Sequence, residues 1–100
     1  MISLKQLSYA LAVQEHMHFK KAADACNVSQ SALSTAITEL EKQLGIQVFE
    51  RNNKQVLVTP SGQILLKTAQ SIKLQVDDLY KLSQMNKAPL TTPMSIGVIP

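Results

Sequence analysis

The chain has a single cysteine, Cys26, and no tryptophan. One thiol cannot close an internal disulfide, which fits a reducing compartment. Aromatic residues make up 4% of the sequence, two Phe and two Tyr, so any core must be mostly aliphatic. No apolar run approaches the roughly 18 residues that a membrane span requires. The opening Met1-Ile2-Ser3-Leu4-Lys5 carries no apolar stretch ahead of a cleavage site, so it does not read as a secretory leader. The expected location is the cytoplasm.

The vocabulary of catalysis is missing as well. There is no cysteine pair, no H-E-x-x-H pattern, no glycine-rich phosphate loop and no pair of carboxylates placed for acid–base work. His16 and His18 stand two positions apart and so fall on different sides of a helix. Asp77 and Asp78 are neighbours that read as a solvated pair. Cys26 reads as a small buried apolar residue. No catalytic residue, metal site or cofactor is expected, and no enzymatic activity.

What the chain does have is a mildly basic balance, net charge +3 with a pI near 9.2, and 45% hydrophobic residues. That permits an anionic partner without requiring one. One hundred residues make one small domain.

Punctuation divides the chain into elements. Ser3 followed by Gln6 is a capping-box pattern that opens a first helix, whose apolar face is Leu4, Leu7, Ala10, Leu11 and Met17. A short second helix runs from about Phe19 to Cys26, kept thin by Ala22, Ala23 and Ala25. Ser29 is a good N-cap for a third helix, and Gly45 stands where a left-handed cap is wanted. The third helix has an apolar stripe of Leu33, Ala36, Ile37, Leu40 and Leu44. Its front carries Gln30, Ser31, Ser34, Thr35 and Thr38, with no charge among them.

The stretch from Ile46 to Thr59 has two β-branched runs around Arg51-Asn52-Asn53-Lys54, the pattern of a hairpin with a positive tip. Thr59-Pro60 restarts a helix. That fourth helix is long, to about residue 86, and Leu65, Ala69, Ile72, Val76 and Leu79 step through it as a short heptad seam. A helix of this length overshoots a small globule, so the seam is expected to meet a second chain. From Lys87 the composition turns to a proline- and threonine-rich linker, and "MSIGVIP" reads as an opening strand without a partner. The chain is therefore read as the front part of a longer protein.

The expected architecture is mainly α: a winged helix-turn-helix of three helices plus a β-hairpin wing over residues 1–59, then a long dimerising linker helix over 60–86. A hinge is expected over 87–94 and the start of a further domain over 95–100. In a helix-turn-helix the recognition helix, here 30–44, enters the DNA major groove with its front residues at base edges. Short side chains let it sit deep. Gln can pair bidentately with adenine, and Ser and Thr hydroxyls can donate or accept. The wing, 48–58, would bring Arg51, Asn53 and Lys54 to the backbone or minor groove. Each signal has a plainer reading: a capped surface helix, an exposed turn, an intramolecular core face. A module that dimerises or binds proteins through its long helix without touching DNA is the rival reading. The order and spacing of the signals favour DNA.

The segment from Phe19 to Gly62 closely resembles the DNA-binding domain of LysR-type transcriptional regulators. The matching pieces are Ala22-Ala23, "VSQSALS" from Val28 to Ser34, Leu40-Glu41, Leu44-Gly45, Phe49 to Arg51 and "TPSG" from Thr59 to Gly62. The resemblance implies base-reading positions at Gln30, Ser31, Ser34, Thr35 and Thr38, and wing contacts at Arg51, Asn53 and Lys54. It implies a dimer paired through the linker helix on a pseudo-palindromic double-stranded operator. It also implies a tetramer in a full-length protein, with a C-terminal effector-binding domain. "HFKKAADACNVSQSALS" and "IGVIP" are similar to the peroxide-sensing OxyR branch, which implies oxidative-stress genes as targets. Many members have proline where Ser31 stands and arginine at Thr35 or Thr38. Without arginine the commonest route to guanine is lost, so an A·T-leaning site is expected. His18, where Ser or Asn is usual, is expected to cap the second helix less well.

Overall fold

A computed structural model describes residues 1–51 and 55–87. The order is α1 (Leu4–His16), α2 (Phe19–Ala25), α3 (Gln30–Leu44), β1 (Phe49–Arg51), β2 (Val56–Val58) and α4 (Pro60–Lys87). The winged helix-turn-helix and the long following helix are thus as the sequence suggests. The proposed hinge beyond Lys87 and the strand over 95–100 lie outside the described residues.

Helix α1 starts with a reciprocal cap. Ser3 Oγ accepts the Gln6 N–H at 3.3 Å while Gln6 Oε1 accepts the Ser3 N–H at 2.7 Å. Its inner face is Leu7, Ala10, Leu11 and Val13. Two expected members are not on it: Leu4 is 48% exposed and Met17 43%. Leu4 is the first residue of the helix, two turns before Leu11. Met17 ends the helix in a left-handed conformation, φ 51°, which turns its side chain away from the helical face.

Helix α2 is capped by His18, whose Nδ1 accepts the Lys21 N–H at 3.2 Å. The imidazole therefore does what a Ser or Asn would do, and the expected weak cap is not found. The turn to α3 uses Asn27 at φ 58°, a conformation that Asn tolerates better than most residues. Ser29 caps α3 through a 3.0 Å bond from the Ala32 N–H. At its far end Gly45 takes φ 66°, and the N–H groups of Gly45 and Ile46 return to the carbonyls of Lys42 and Glu41. That Schellman pattern satisfies the last carbonyls of the helix.

Leu33, Ile37 and Leu40 of α3 are fully buried with Val13, Val48, Phe49 and Leu66. The core is aliphatic apart from Phe19 and Phe49, which meet edge to face at 6.1 Å. Strands β1 and β2 pair antiparallel with Phe49 opposite Val58 and Arg51 opposite Val56.

The hairpin is tied to the start of α4. Thr59 donates its N–H to the Val48 carbonyl at 2.9 Å, and its Oγ1 accepts the Gly62 N–H at 2.9 Å. Gly62 is buried against β1's approach: a Cβ there would lie 2.3 Å from the Val48 carbonyl oxygen. Only a glycine lets helix and strand come this close.

Helix α4 has 28 residues and is about 42 Å long at 1.5 Å per residue. The expected seam along it divides. Ala69 is 1% exposed inside the chain's own core, and Leu65 and Ile72 pack half-buried against that core. Ala69 is therefore corrected from a seam residue to a core residue, because α1 packs across this part of α4. Val76 is half-buried, and Leu79 is 65% exposed. Beyond the globule Leu74, Tyr80, Leu82 and Met85 are also exposed.

Candidate nucleic-acid interface

Residues 30–38 form the front of α3. Leu33 and Ile37 anchor one side in the core, which fixes where the opposite side points. Ser31, Thr35 and Thr38 are exposed on that side, Ser34 is half-exposed at its edge, and Gln30 is exposed as the first residue of the helix. The geometry brings together all five of the expected base-reading side chains on one element. The helix N-terminus adds unpaired backbone donors there, which favour a phosphate.

The wing is held to α3 by a carboxylate. Glu41 Oε2 accepts the N–H groups of Val48 at 2.8 Å and Phe49 at 3.1 Å. These are charge-assisted bonds and are stronger than neutral ones. They place β1 at a set distance from the last turn of α3. From the other side Gln6 Nε2 donates to the Ala36 carbonyl at 3.3 Å and to Gln43 Oε1 at 3.2 Å. Gln6 thus caps α1 with its oxygen and braces α3 with its nitrogen.

Arg51, expected as a wing contact, keeps a side chain that is 37% exposed and leans onto α2 and α3. Its guanidinium lies 4.4 Å over the Phe19 ring, donates from Nη1 to Ser34 Oγ at 3.0 Å, and stands 4.0 Å from Glu41 Oε1. An aromatic face, a hydroxyl and a carboxylate together outweigh full solvation of the cation. The other expected wing residues, Asn53 and Lys54, lie outside the described residues.

Phe19, Gln6 and Glu41 escaped the reading of the sequence as site residues. Glu41 carried a signal: an acidic side chain in the last turn of a helix opposes the dipole, so it calls for a specific partner. The partner lies seven and eight residues on. Among the described residues no cluster of three His, Cys, Asp or Glu is gathered for a metal. No helix among them is long and apolar enough to cross a membrane.

A compact trihelical core, a hairpin wing beside the third helix and an uncharged polar face on that helix define a winged helix-turn-helix of the nucleic-acid-binding type. Residues 4–63 match the model of the bacterial regulatory helix-turn-helix proteins of the lysR family. The chain belongs to that family.

Its relatives agree. The hydrogen peroxide-inducible genes activator of Haemophilus influenzae is 39% identical over 99 residues, which is 99% of this chain and 33% of the relative. The chain thus spans about a third of the length of that protein. A full-length OxyR from Pseudomonas aeruginosa superposes with a TM-score of 0.85 at 34% identity, over 88% of this chain and 30% of that one. The BenM DBD, solved in complex with benA site 1 DNA, gives a TM-score of 0.81 at 34% identity, over 88% of this chain and 99% of that one.

Proposed function

We propose that this chain is the DNA-reading part of a dimeric LysR-type transcriptional regulator that controls oxidative-stress genes. Helix α3 lies in the major groove of a double-stranded, pseudo-palindromic operator, and the wing meets the backbone or minor groove. The observation that carries this reading is the front of α3: exposed, uncharged, hydrogen-bonding and rigidly mounted. A solvated surface helix does not need the Glu41 and Gln6 braces that hold this one. The likeness to the BenM DBD, solved on DNA, supports the same placement. The peroxide-inducible relatives support the oxidative-stress link.

Dimerisation goes through α4. An apolar groove of about 480 Å³ lined by Ile2, Leu7, Leu44, Ile64, Leu65 and Ile72 opens beside it, and Leu79, Leu82 and Met85 continue the exposed apolar surface outward. A second copy of α4 matches such a surface in length and chemistry. The role is regulatory and non-enzymatic, and it is exercised in the cytoplasm. Residues 95–100 open the effector-binding domain, which joins dimers into tetramers.

The test is recovery of bound duplexes from a random pool, followed by affinity against salt. A shared two-fold site with half-sites a whole number of helical turns apart is expected. Affinity should fall steeply with salt as Lys and Arg displace counterions. A pool with no shared site, or binding indifferent to salt, would refute the reading.

A further inference from the structure

The Arg51 side chain is left unexplained by a wing that reaches for phosphates. It points back onto the helix that reads the bases. Resting on the DNA-binding reading above, we infer that Arg51 is a positioning residue that presets the Ser34 hydroxyl as a hydrogen-bond donor to the DNA, and so biases one base position against cytosine.

The chemistry is that of a single hydroxyl. Ser34 Oγ has one proton and two lone pairs. Arg51 Nη1, 3.0 Å away, occupies one lone pair with a charged donor. A charge-assisted bond draws electron density from the oxygen, which strengthens its own O–H as a donor and weakens its remaining lone pair as an acceptor. In the major groove guanine, adenine and thymine each offer an acceptor, at N7 or O6, N7, and O4 respectively. Cytosine offers only the N4 amino donor. A serine free to rotate accepts from cytosine as readily as it donates to the others. A serine held by Arg51 does not.

The cation is built into place for this. Its Cζ lies 4.4 Å from the centre of the Phe19 ring, and Phe19 is itself fixed edge to face on Phe49, the residue whose N–H Glu41 holds. Glu41 Oε1 stands 4.0 Å from Arg51 Nη2, while the other oxygen of the same carboxylate holds the wing strand. The direction of the Ser34 hydroxyl is thereby linked to the position of the wing. Lysine cannot reproduce this, because an ammonium is a rotating point charge without a planar fork.

The experiment measures affinity for the recovered site with all four bases placed at each position. It compares wild type, Ser34→Ala, Arg51→Lys and the double variant, with a random duplex as the reference for folding and charge. Arg51→Lys should keep the random-duplex affinity and its salt slope. It should erase discrimination against cytosine, by roughly 5-fold or more, at the one position that Ser34→Ala also relaxes. The double variant should lose no more than either single one. Unchanged base preference in Arg51→Lys would make Arg51 a simple phosphate contact and overturn the assignment. So would losses that add in the double variant, or a wild-type preference for cytosine at that position. A wild type that binds every duplex alike fails differently: it removes the sequence-reading function itself.

Discussion

The two ends of this chain solve opposite problems. Where α3 meets β1, the surface is polar and its side chains are held: Glu41 by two backbone amides, Arg51 by Phe19 and Ser34, Gln6 by Ala36 and Gln43. Along the outer half of α4, apolar side chains stand out among the polar ones, with Leu79 and Met85 65% and 70% exposed. A polar surface that must match a pattern of donors and acceptors gains from rigidity, because each side chain ordered in advance is not ordered on binding. An apolar surface needs only to be covered. Large apolar patches on a soluble chain mark places where another surface fits.

The contrast can be broken at the braced end first. Glu41→Ala leaves the Val48 and Phe49 amides without their acceptor and should cost roughly 3 kcal/mol of stability in urea unfolding, the scale of hydrogen bonds to a charged group. Glu41→Gln, which keeps one carbonyl oxygen, should cost less. Next comes the junction. Gly62→Ala puts a methyl 2.3 Å from the Val48 carbonyl oxygen and should cost about 2 kcal/mol in the same assay, with the wing displaced.

Gln30→Ala then isolates the reading face. Specific binding should weaken by roughly 1–3 kcal/mol in titrations while unfolding stays as in wild type. At the apolar end the smallest effect on the fold is expected. Leu79→Asp should change the stability of the isolated chain by less than about 0.5 kcal/mol, as for an exposed position. It should nonetheless convert dimers to monomers in sedimentation. Ile72→Asp is the blunter version, since Ile72 also packs on the core. Dimers that survive Leu79→Asp would place the partner elsewhere and erase the contrast.

Most of the fold is legible in short-range chemistry. Ser3 with Gln6, Ser29, Gly45 and Thr59-Pro60 mark helix ends through partners only a few residues away in sequence, and local hydrogen bonds are what those residue types report. The front of α3 is legible for the same reason, since its anchor, Leu33 and Ile37, lies on the same helix. The clamp is not. Glu41 meets strand residues across a turn, and Arg51 meets a helix that precedes it by 32 positions at Phe19. Nothing in the spacing of "FER" says that the arginine folds inward. Periodicity likewise shows that α4 has an apolar stripe but not which neighbour covers it. Packing on α1 assigned Ala69 to the interior and left Leu79 outside.

The contact between Gly62 and Val48 has a geometric corollary. With no slack between the first turn of α4 and the hairpin, the long helix and the wing move as one body. When two such chains are joined along α4, the separation between their α3 helices becomes a fixed length, like the gap of a caliper locked at its pivot. DNA whose half-sites do not match that gap must bend to be held, and bending stiff sequence costs energy. In a dimer joined that way, the glycine contact would set which operator spacing fits without strain.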